Sequence, residues 1–194
     1  MPKVSVVMPV FNGEEFLREA LDSIIAQTFT DWEFIIINEF GSSAAATEIL
    51  QEYETKDSRI QVISNRSSLG IAKSLNTGIR AASGEYIARM DADDLAYPVR
   101  FQKQVAFLNE NPEVGICGTW QKHCGRRGTW IHRPPAGEQE LAASLLFSCE
   151  MCHSTVMMRR EILERNRLFY SETYAAEDFE LWGRAIAVAV LANL

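Results

Sequence analysis

Short apolar runs alternate with amphipathic runs through the first 110 residues of this 194-residue chain, and this alternation restricts the fold more than any other feature. Runs rich in β-branched residues are typical of buried strands. They occupy 4–10, 34–37, 60–63 and 86–90. Apolar residues at helical spacing follow each of them, at 16–25, 49–53, 72–82 and 101–108. The pattern predicts an α/β fold in which helices flank a mainly parallel sheet.

Polar residues directly follow three of the predicted strands. Phe11-Asn12-Gly13 follows the first, Asn38-Glu39 follows the second, and 91–94 (Asp-Ala-Asp-Asp) follows the fourth. Ligands of such sheets bind at the carboxyl ends of the strands. We therefore expect the functional site at this edge.

Local signals predict where several elements begin and end. Asn12 is expected to cap the first helix, with Glu15 reaching back to it, and Gly84 is expected at a helix C-terminus. The pattern is less regular after residue 112. There we expect a hairpin or edge strands at 114–121 and 129–132, a helix at 138–147, a strand at 154–158 and a last helix from Glu177.

The charge balance is acidic, with 19 Lys and Arg against 26 Asp and Glu and a formal net charge of −7. A general nucleic-acid binder needs a basic face, so this class of partner is not expected. A phosphate-rich ligand would need local positive charge from a metal, a helix N-terminus or a few cations. The N-terminus lacks a signal-peptide pattern, which predicts a cytoplasmic protein.

The acidic segment 91–94 is the strongest chemical signal. Three carboxylates in four residues repel one another unless a cation lies among them. Oxygen ligands of this kind suit Mg²⁺ or Mn²⁺, which can neutralise the charge on a leaving diphosphate. A solvated acidic turn that caps the next helix is the alternative.

A second acidic pair, Glu177-Asp178, opens the last predicted helix. Carboxylates in a first helical turn can simply complement the helix dipole. A general base directed into the same cleft is the functional interpretation. Lys73 and Arg100 are candidates for phosphate contact, with a solvated helix face as the alternative for each.

Cysteines supply two further hypotheses. The four cysteines, Cys117, Cys124, Cys149 and Cys152, are expected to be free thiols packed as small hydrophobic groups. Cys149-Glu150-Met151-Cys152-His153 matches the haem attachment pattern, but that chemistry requires export. A zinc site formed by the four cysteines stays open, although only one pair has tight spacing.

Five segments together resemble the family 2 glycosyltransferases, which have the GT-A fold. They are 4–12 (VSVVMPVFN), 23–28 (SIIAQT), 69–94 with its NTGI and GEYIARMDADD fragments, 153–157 (HSTVM) and 176–182 (AEDFELW). The resemblance implies one GT-A domain over 1–194, with a nucleotide-sugar-binding half at 1–112 and a less regular acceptor-side half at 113–194. It also implies transfer of a sugar, with inversion, from a nucleotide-diphosphate sugar to an acceptor hydroxyl.

The resemblance assigns roles residue by residue. Pro9, Phe11, Glu39 and Lys73 are expected to bind the donor, together with Asp91 and Asp93. Asp93, assisted by Asp91, is the expected ligand of Mn²⁺ or Mg²⁺, and Asp178 is the expected catalytic base. Asp94 and Glu177 are expected to contact these residues rather than the metal or the substrate.

The expected partners are a UDP-sugar donor and a carbohydrate or glycolipid acceptor, in polysaccharide or glycolipid synthesis. Peripheral association with the inner face of the membrane is a further expectation. The segment 38–42 (NEFGS) is one residue longer than the family pattern, and the chain ends soon after Asp178, which suggests a truncated acceptor side.

Other functions stay open at this stage. A nucleotide-sugar-binding domain without catalysis would bind the donor but not transfer the sugar. A nucleotidyltransferase would also use paired acids, but its glycine-rich phosphate loop is missing after the first strand. A glycoside hydrolase would use two carboxylates and no nucleotide.

Overall fold

A seven-stranded sheet organises the chain. The computed structural model describes residues 1–125 and 128–194. The strand order in the sheet is β3-β2-β1-β4-β8-β5-β9, and β6 pairs with β7 in a separate hairpin. The strands are β1 (Val4–Val10), β2 (Trp32–Asn38), β3 (Ile60–Ser64), β4 (Tyr86–Arg89), β5 (Val114–Gly118), β6 (Gln121–Gly125), β7 (Gly128–His132), β8 (Met157–Arg159) and β9 (Val190–Asn193).

Helices cover both faces of this sheet. They are α1 (Glu14–Ile25), α2 (Ala44–Lys56), α3 (Ile71–Ala81), α4 (Arg100–Glu110), α5 (Glu138–Ser144), α6 (Arg160–Asn166) and α7 (Glu177–Ala185). The apolar residues of α1, α2 and α4 pack on one face, and those of α3, α5, α6 and α7 pack on the other. The expectation of a mainly parallel sheet flanked by helices is confirmed.

The first half of the sheet is entirely parallel. β1 pairs in parallel with both β2 and β4, and β2 pairs in parallel with β3. Alternate β1 side chains face the two apolar layers: Val6 and Met8 join one layer, and Val7 joins the other. Burial on both faces explains why this strand is a continuous apolar run.

The second half departs from the parallel pattern. β8 is antiparallel to both β4 and β5, and β9 is parallel to β5. The segment expected as one arm of a hairpin is therefore divided. Its first part is the buried strand β5, and only its last residue, Gln121, enters the β6–β7 hairpin. A 3₁₀ turn at His153–Thr155 precedes β8, so the predicted strand at 154–158 begins late.

Two predicted helix boundaries were wrong. Gly13 caps α1 in the left-handed conformation, and the Asn12 side chain instead accepts a hydrogen bond from the Ser43 backbone N–H at 2.9 Å. Gly84 lies past the end of α3. A Cβ at Gly84 would be 2.7 Å from the Ser5 backbone nitrogen, so this glycine permits close approach to β1.

The outer edge of β3 is covered by a side chain of α2. The Val62 backbone N–H donates to Glu54 Oε1 at 2.7 Å. A sheet edge with free N–H groups is a template for pairing with another chain. Glu54 occupies that position with a negative charge.

Over 1–125 and 128–194, every helix is too short or too polar to span a bilayer.

Candidate functional site

The order of the strands creates a crevice between β1 and β4. The chain moves outward from β1 to β2 and β3 on one side, and then returns to β4 on the other side of β1. Open α/β sheets bind ligands at such a reversal, beyond the carboxyl ends of the strands. Val10 is paired with Asn38, and Val7 with Arg89. The polar segments after β1, β2 and β4 therefore lie along one edge, as the sequence predicts.

Phe11 and Pro9 form the β1 side of the crevice. Phe11 is 62% exposed, which is unusual for an aromatic residue directly after a buried strand. A Cβ at Gly41 would be 3.9 Å from Phe11 Cε2, so the turn after β2 runs beside the ring. Pro9 is half-buried and is paired with Ile37 of β2. An exposed ring beside a glycine turn is available for stacking against a planar ligand.

Glu39 is a buried carboxylate that organises the loop opposite it. Its Oε1 accepts backbone N–H bonds from Phe40 at 2.8 Å and Leu69 at 3.1 Å. Its Oε2 accepts from the Gly70 N–H at 2.9 Å and from the Ser74 hydroxyl at 2.9 Å. Both oxygens thus hold the loop before α3 and the first turn of that helix. Contact of Glu39 with a base or ribose stays a prediction.

The pKa of Glu39 reflects these contacts. Burial opposes ionisation, but the hydrogen bonds from Leu69, Phe40 and Ser74 outweigh it and hold the pKa below its ordinary value. Glu39 is therefore a fixed anion beneath the N-terminus of α3.

The two basic candidates have different environments. Lys73 lies half-exposed in the first turn of α3, with its Nζ 3.5 Å from Glu172 Oε2. Arg100 is buried in α4, where it donates to the Arg89 carbonyl at 2.8 Å and to Gln104 Oε1 at 3.0 Å. Burial lowers the pKa of Arg100 to about 10. Both sequence interpretations of Arg100, a phosphate contact and a solvated face, were wrong, because its side chain is buried and its hydrogen bonds go to groups inside the protein.

The acidic segment forms a turn at the carboxyl end of β4. The Asp94 N–H lies 3.4 Å from the Asp91 carbonyl, and Asp93 is exposed at the turn. Asp91 is 33% exposed and forms an ion pair with the buried Arg89. Burial raises the pKa of Asp91 above its ordinary value, and the charge of Arg89 opposes this only in part. Asp91 and Asp93 therefore differ: one is anchored and the other faces solvent.

These carboxylates suit a divalent cation only if substrate phosphates complete its coordination. Over residues 1–125 and 128–194, no three His, Cys, Asp or Glu side chains come together in a metal-binding group. Mg²⁺ is nevertheless commonly held by one or two carboxylates plus substrate phosphates. Asp93 and Asp91 supply hard oxygen donors of this kind, so the donor set fits Mg²⁺ or Mn²⁺.

The cysteines do not form the zinc site that the sequence left open. Cys117 and Cys152 are buried, whereas Cys124 and Cys149 are exposed. All four are free thiols, as expected. Of the buried pair, Cys117 packs in the apolar core, whereas Cys152 Sγ lies 3.4 Å from His132 Nδ1.

Asp178 lies in the first turn of α7 and is a quarter exposed. Its Oδ1 accepts the Phe179 backbone N–H at 2.7 Å. Its Oδ2 lies 3.9 Å from Cys149 Sγ and 4.0 Å from His153 Nδ1. Burial, followed by the charge of Asp178, raises the pKa of Cys149 to about 11, so the thiol keeps its proton. A carboxylate on a helix N-terminus with one partly free oxygen can accept a proton.

A buried phenol, Tyr170, contacts the histidine that lies beside Asp178. The Tyr170 hydroxyl is 2.8 Å from His153 Nε2. Burial raises the pKa of Tyr170, Arg89 opposes the increase, and Asp178, Glu177 and Asp91 add to it. The charges of Asp178, Glu177 and Asp91 thus act on the pKa of one buried phenol, although the last lies far from the other two in the sequence.

Asn76 anchors the segment that carries Tyr170. The Asn76 side chain is buried; its Nδ2 donates to the Tyr170 carbonyl at 2.9 Å, and its Oδ1 accepts the Tyr170 N–H at 2.9 Å. Two residues later, a Cβ at Gly78 would be 2.4 Å from Val7 Cγ1, so α3 packs directly on β1. The NTGI fragment therefore fixes the chain that leads to α7.

Sequence reasoning missed Arg89, His153 and Tyr170 as members of the site. Arg89 was assigned to a buried strand, where a charged residue should have been a signal. His153 had one signal, because it opens one of the five segments that resemble the family, but no role was assigned to it. Tyr170 carried no sequence signal, because its position depends on the Asn76 clamp.

Comparisons with known proteins agree with this architecture. The family model described as Glycosyl transferase family 2 matches residues 5–167. An uncharacterized glycosyltransferase of Haemophilus influenzae is 34% identical over 203 residues, covering 99% of this chain and 62% of the relative. The putative glycosyltransferase EpsE of Bacillus subtilis is 36% identical over 189 residues, covering 94% and 66%. The chain thus spans less than two thirds of the length of these relatives.

Solved structures share the fold. TarS 1–349 of S. aureus in complex with UDP-GlcNAc superposes with a TM-score of 0.82 at 22% identity, covering 99% of this chain and 56% of that one. The mannosyltransferase PcManGT of Pyrobaculum calidifontis, in complex with GDP-Man and Mn²⁺, gives 0.76 at 19% identity, covering 100% and 55%. With the extensive family match and relatives above 30% identity, the chain belongs to glycosyl transferase family 2.

Proposed function

We propose that this chain transfers a sugar from a nucleotide-diphosphate sugar to an acceptor hydroxyl, with Asp178 as the base. The observation that carries the proposal is that Asp178 lies beside the turn that packs on β4. Its Oδ2 is 4.0 Å from His153 Nδ1 in that turn, and the turn is joined to β4 by the Arg89 N–H, which donates to the Val156 carbonyl at 3.0 Å, just before the acidic segment 91–94. Membership of the family and the names of the relatives support the class of reaction.

The proposed reaction places different residues on the two sides of the anomeric carbon of the donor sugar. Asp178 would remove the proton of the acceptor hydroxyl as its oxygen bonds to the anomeric carbon. The bond from that carbon to the diphosphate would break on the opposite face, which inverts the configuration. Such a displacement needs a base on one side and charge stabilisation on the other.

Charge stabilisation would fall to the β4 side. Asp93, assisted by Asp91, would hold Mn²⁺ or Mg²⁺, and the bound cation would supply positive charge for the leaving diphosphate. The exposed ring of Phe11 would stack against the base. Lys73 is near enough to solvent to contact a phosphate if it leaves Glu172.

A UDP-sugar is the donor we propose to test first. TarS binds UDP and UDP-GlcNAc, and PcManGT binds GDP-Man and Mn²⁺, according to the names of those complexes. A more distant relative, WbnJ of Escherichia coli, is named as an O-antigen biosynthesis glycosyltransferase at 27% identity. A carbohydrate or glycolipid acceptor in polysaccharide synthesis is therefore part of the proposal.

The donor site is tested by calorimetry with UDP, GDP, dTDP and CDP, each with and without Mn²⁺ or Mg²⁺. We expect UDP to bind, and to do so only with a cation. Asp93→Ala should abolish this cation-dependent binding. Asp31→Ala, which removes a carboxylate beside the N-terminal end of β2, is the matched control and should leave the titration unchanged. Equal binding by wild type and Asp93→Ala would contradict the metal assignment.

The base is tested by release of UDP from UDP-GlcNAc in the presence of a panel of sugar acceptors. Asp178→Asn keeps the size of the side chain but removes its basicity. We expect turnover to fall by about 10²–10⁴-fold with UDP affinity unchanged. Equal loss of binding would instead mean that Asp178 shapes the donor pocket. Donor binding without any turnover in the wild type would favour a domain that binds without catalysis.

A further inference from the structure

His153 lies between the buried phenol and the proposed base. Its Nε2 is 2.8 Å from the Tyr170 hydroxyl, and its Nδ1 is 4.0 Å from Asp178 Oδ2. The imidazole side chain is only 12% exposed, and the Trp182 ring packs edge-on with its centroid 6.0 Å away. The two ring nitrogens of His153 therefore point to two different polar partners.

The environment of His153 keeps the imidazole neutral. Burial, together with the nearby charge of Arg89, lowers the pKa of His153 well below its ordinary value. Burial likewise raises the pKa of Tyr170, so the phenol keeps its proton. A neutral imidazole has one N–H donor and one acceptor nitrogen. The remaining question is which nitrogen carries the proton.

The two partners decide the tautomer. A proton on Nε2 would leave the Nδ1 lone pair facing the Asp178 carboxylate, where the two acceptors repel. A proton on Nδ1 lets Nε2 accept from the Tyr170 hydroxyl and directs a donor towards Asp178. The hydrogen bond made by one ring nitrogen sets the state of the other. The Nδ1–H tautomer satisfies both contacts.

We propose that His153 is a positioning residue, which Tyr170 holds as the Nδ1–H tautomer so that a neutral donor orients Oδ2 of Asp178. This inference rests on the proposed function, in which Asp178 is the base. Oδ1 of Asp178 is already held by the Phe179 N–H, so Oδ2 decides how the carboxylate is turned. A neutral donor orients that oxygen without the basicity loss that an imidazolium would cause. At 4.0 Å the two atoms are too far apart for a hydrogen bond in this structure, and catalytic contacts that are long in the free enzyme often tighten once the substrate binds.

The tautomer is tested by ¹⁵N NMR of protein labelled at histidine, which requires no activity. The spectrum contains three histidines, so His123 and His132 serve as internal references. The His153 signals are assigned by their loss in His153→Gln. We expect a protonated Nδ1 and an unprotonated Nε2, and mixed tautomers in Tyr170→Phe. A protonated Nε2, or an imidazolium at neutral pH, would overturn the inference.

The positioning role is tested by two substitutions that each keep one half of the ring. His153→Asn retains a donor near the Nδ1 position, whereas His153→Gln retains an acceptor near Nε2 and loses the donor. We expect kcat for UDP release to fall at least about tenfold in His153→Gln and by less than about threefold in His153→Asn. KM for UDP-GlcNAc should not change in either. Thermal melting and UDP titration check that both variants fold.

The outcomes separate this inference from the proposed function. If Asp178→Asn abolishes turnover but the two His153 variants have equal kcat, only the positioning role fails. If the wild type and Asp178→Asn show the same UDP release, the proposed function fails, and the positioning role fails with it. The NMR result then still decides the tautomer.

Discussion

Removal of the Asn76 side chain tests whether the segment before α7 depends on a single buried clamp. Asn76→Ala deletes the donor to the Tyr170 carbonyl and the acceptor of the Tyr170 N–H, each at 2.9 Å. Both Tyr170 backbone groups are left without their partner in a buried site. We expect lower stability and a displaced Tyr170, with lower turnover as a consequence.

The magnitude follows from counting the groups left unpaired. A buried donor or acceptor without a partner costs about 1–3 kcal/mol. Two such groups give about 2–6 kcal/mol. A typical domain has only about 5–15 kcal/mol in total, so the loss would be large. Urea unfolding followed by circular dichroism measures it as a lower midpoint.

Asn166→Ala is the matched control. Among the residues that the structure describes, the Asn166 side chain makes a single hydrogen bond, which its Nδ2 donates at 2.9 Å to the Ile162 carbonyl one turn earlier in α6. We expect that variant to lose about 0.5–1.5 kcal/mol. If Asn76→Ala loses no more free energy than Asn166→Ala, the clamp does not hold the Tyr170 segment and the reasoning is refuted.

Three further perturbations have expected outcomes. Gly78→Ala places a methyl group 2.4 Å from a β1 side chain, so we expect a lower melting temperature. Gly183→Ala adds a methyl group to α7 where the space is open, so we expect a higher melting temperature. Equal shifts in the two variants would contradict the close packing of α3 on β1. Glu39 has a lowered pKa, so the stability it contributes is full above its unfolded value of about 4.5 and is lost as the pH falls through the lowered pKa. In Glu39→Gln, the unfolding midpoint should therefore fall less steeply as the pH is lowered. An unchanged slope would mean that ionised Glu39 does not contribute this stability. At pH 8, iodoacetamide should modify Cys149 slowly, because its pKa is raised to about 11, so mass spectrometry should find Cys124 modified first. Both thiols are exposed, so the reverse order would contradict the raised pKa of Cys149.

The parallel half of the fold was predictable because its signals are local. β1 and β2 are apolar on both faces, and the helices between the strands repeat apolar residues every three or four positions. The antiparallel insertion of β8 between β4 and β5 was not predictable, since strand order depends on contacts between distant segments. The prediction that Asn12 caps α1 was wrong for a related reason. Its side chain accepts a hydrogen bond from Ser43, which caps α2, and not from α1.

The candidate site was predictable at its acidic ends and not at its centre. The segment 91–94 and Glu177-Asp178 stand out because unpaired carboxylates in short runs need an explanation. His153 and Tyr170 do not, because a single His or Tyr is an ordinary core residue until its neighbours are known. Arg100 shows the converse: it was predicted either to contact phosphate or to lie on a solvated helix face, but it is buried and donates to backbone carbonyls.

Glu54 has a consequence for how this protein behaves at high concentration. Its carboxylate takes the Val62 N–H on the outer edge of β3, so an approaching strand would meet both an occupied donor and a negative charge. Sheet edges protected in this way resist strand-to-strand aggregation. Glu54→Val would free that amide and add a β-forming side chain beside it. Colloidal stability, rather than folding or chemistry, is the property that Glu54 is expected to protect.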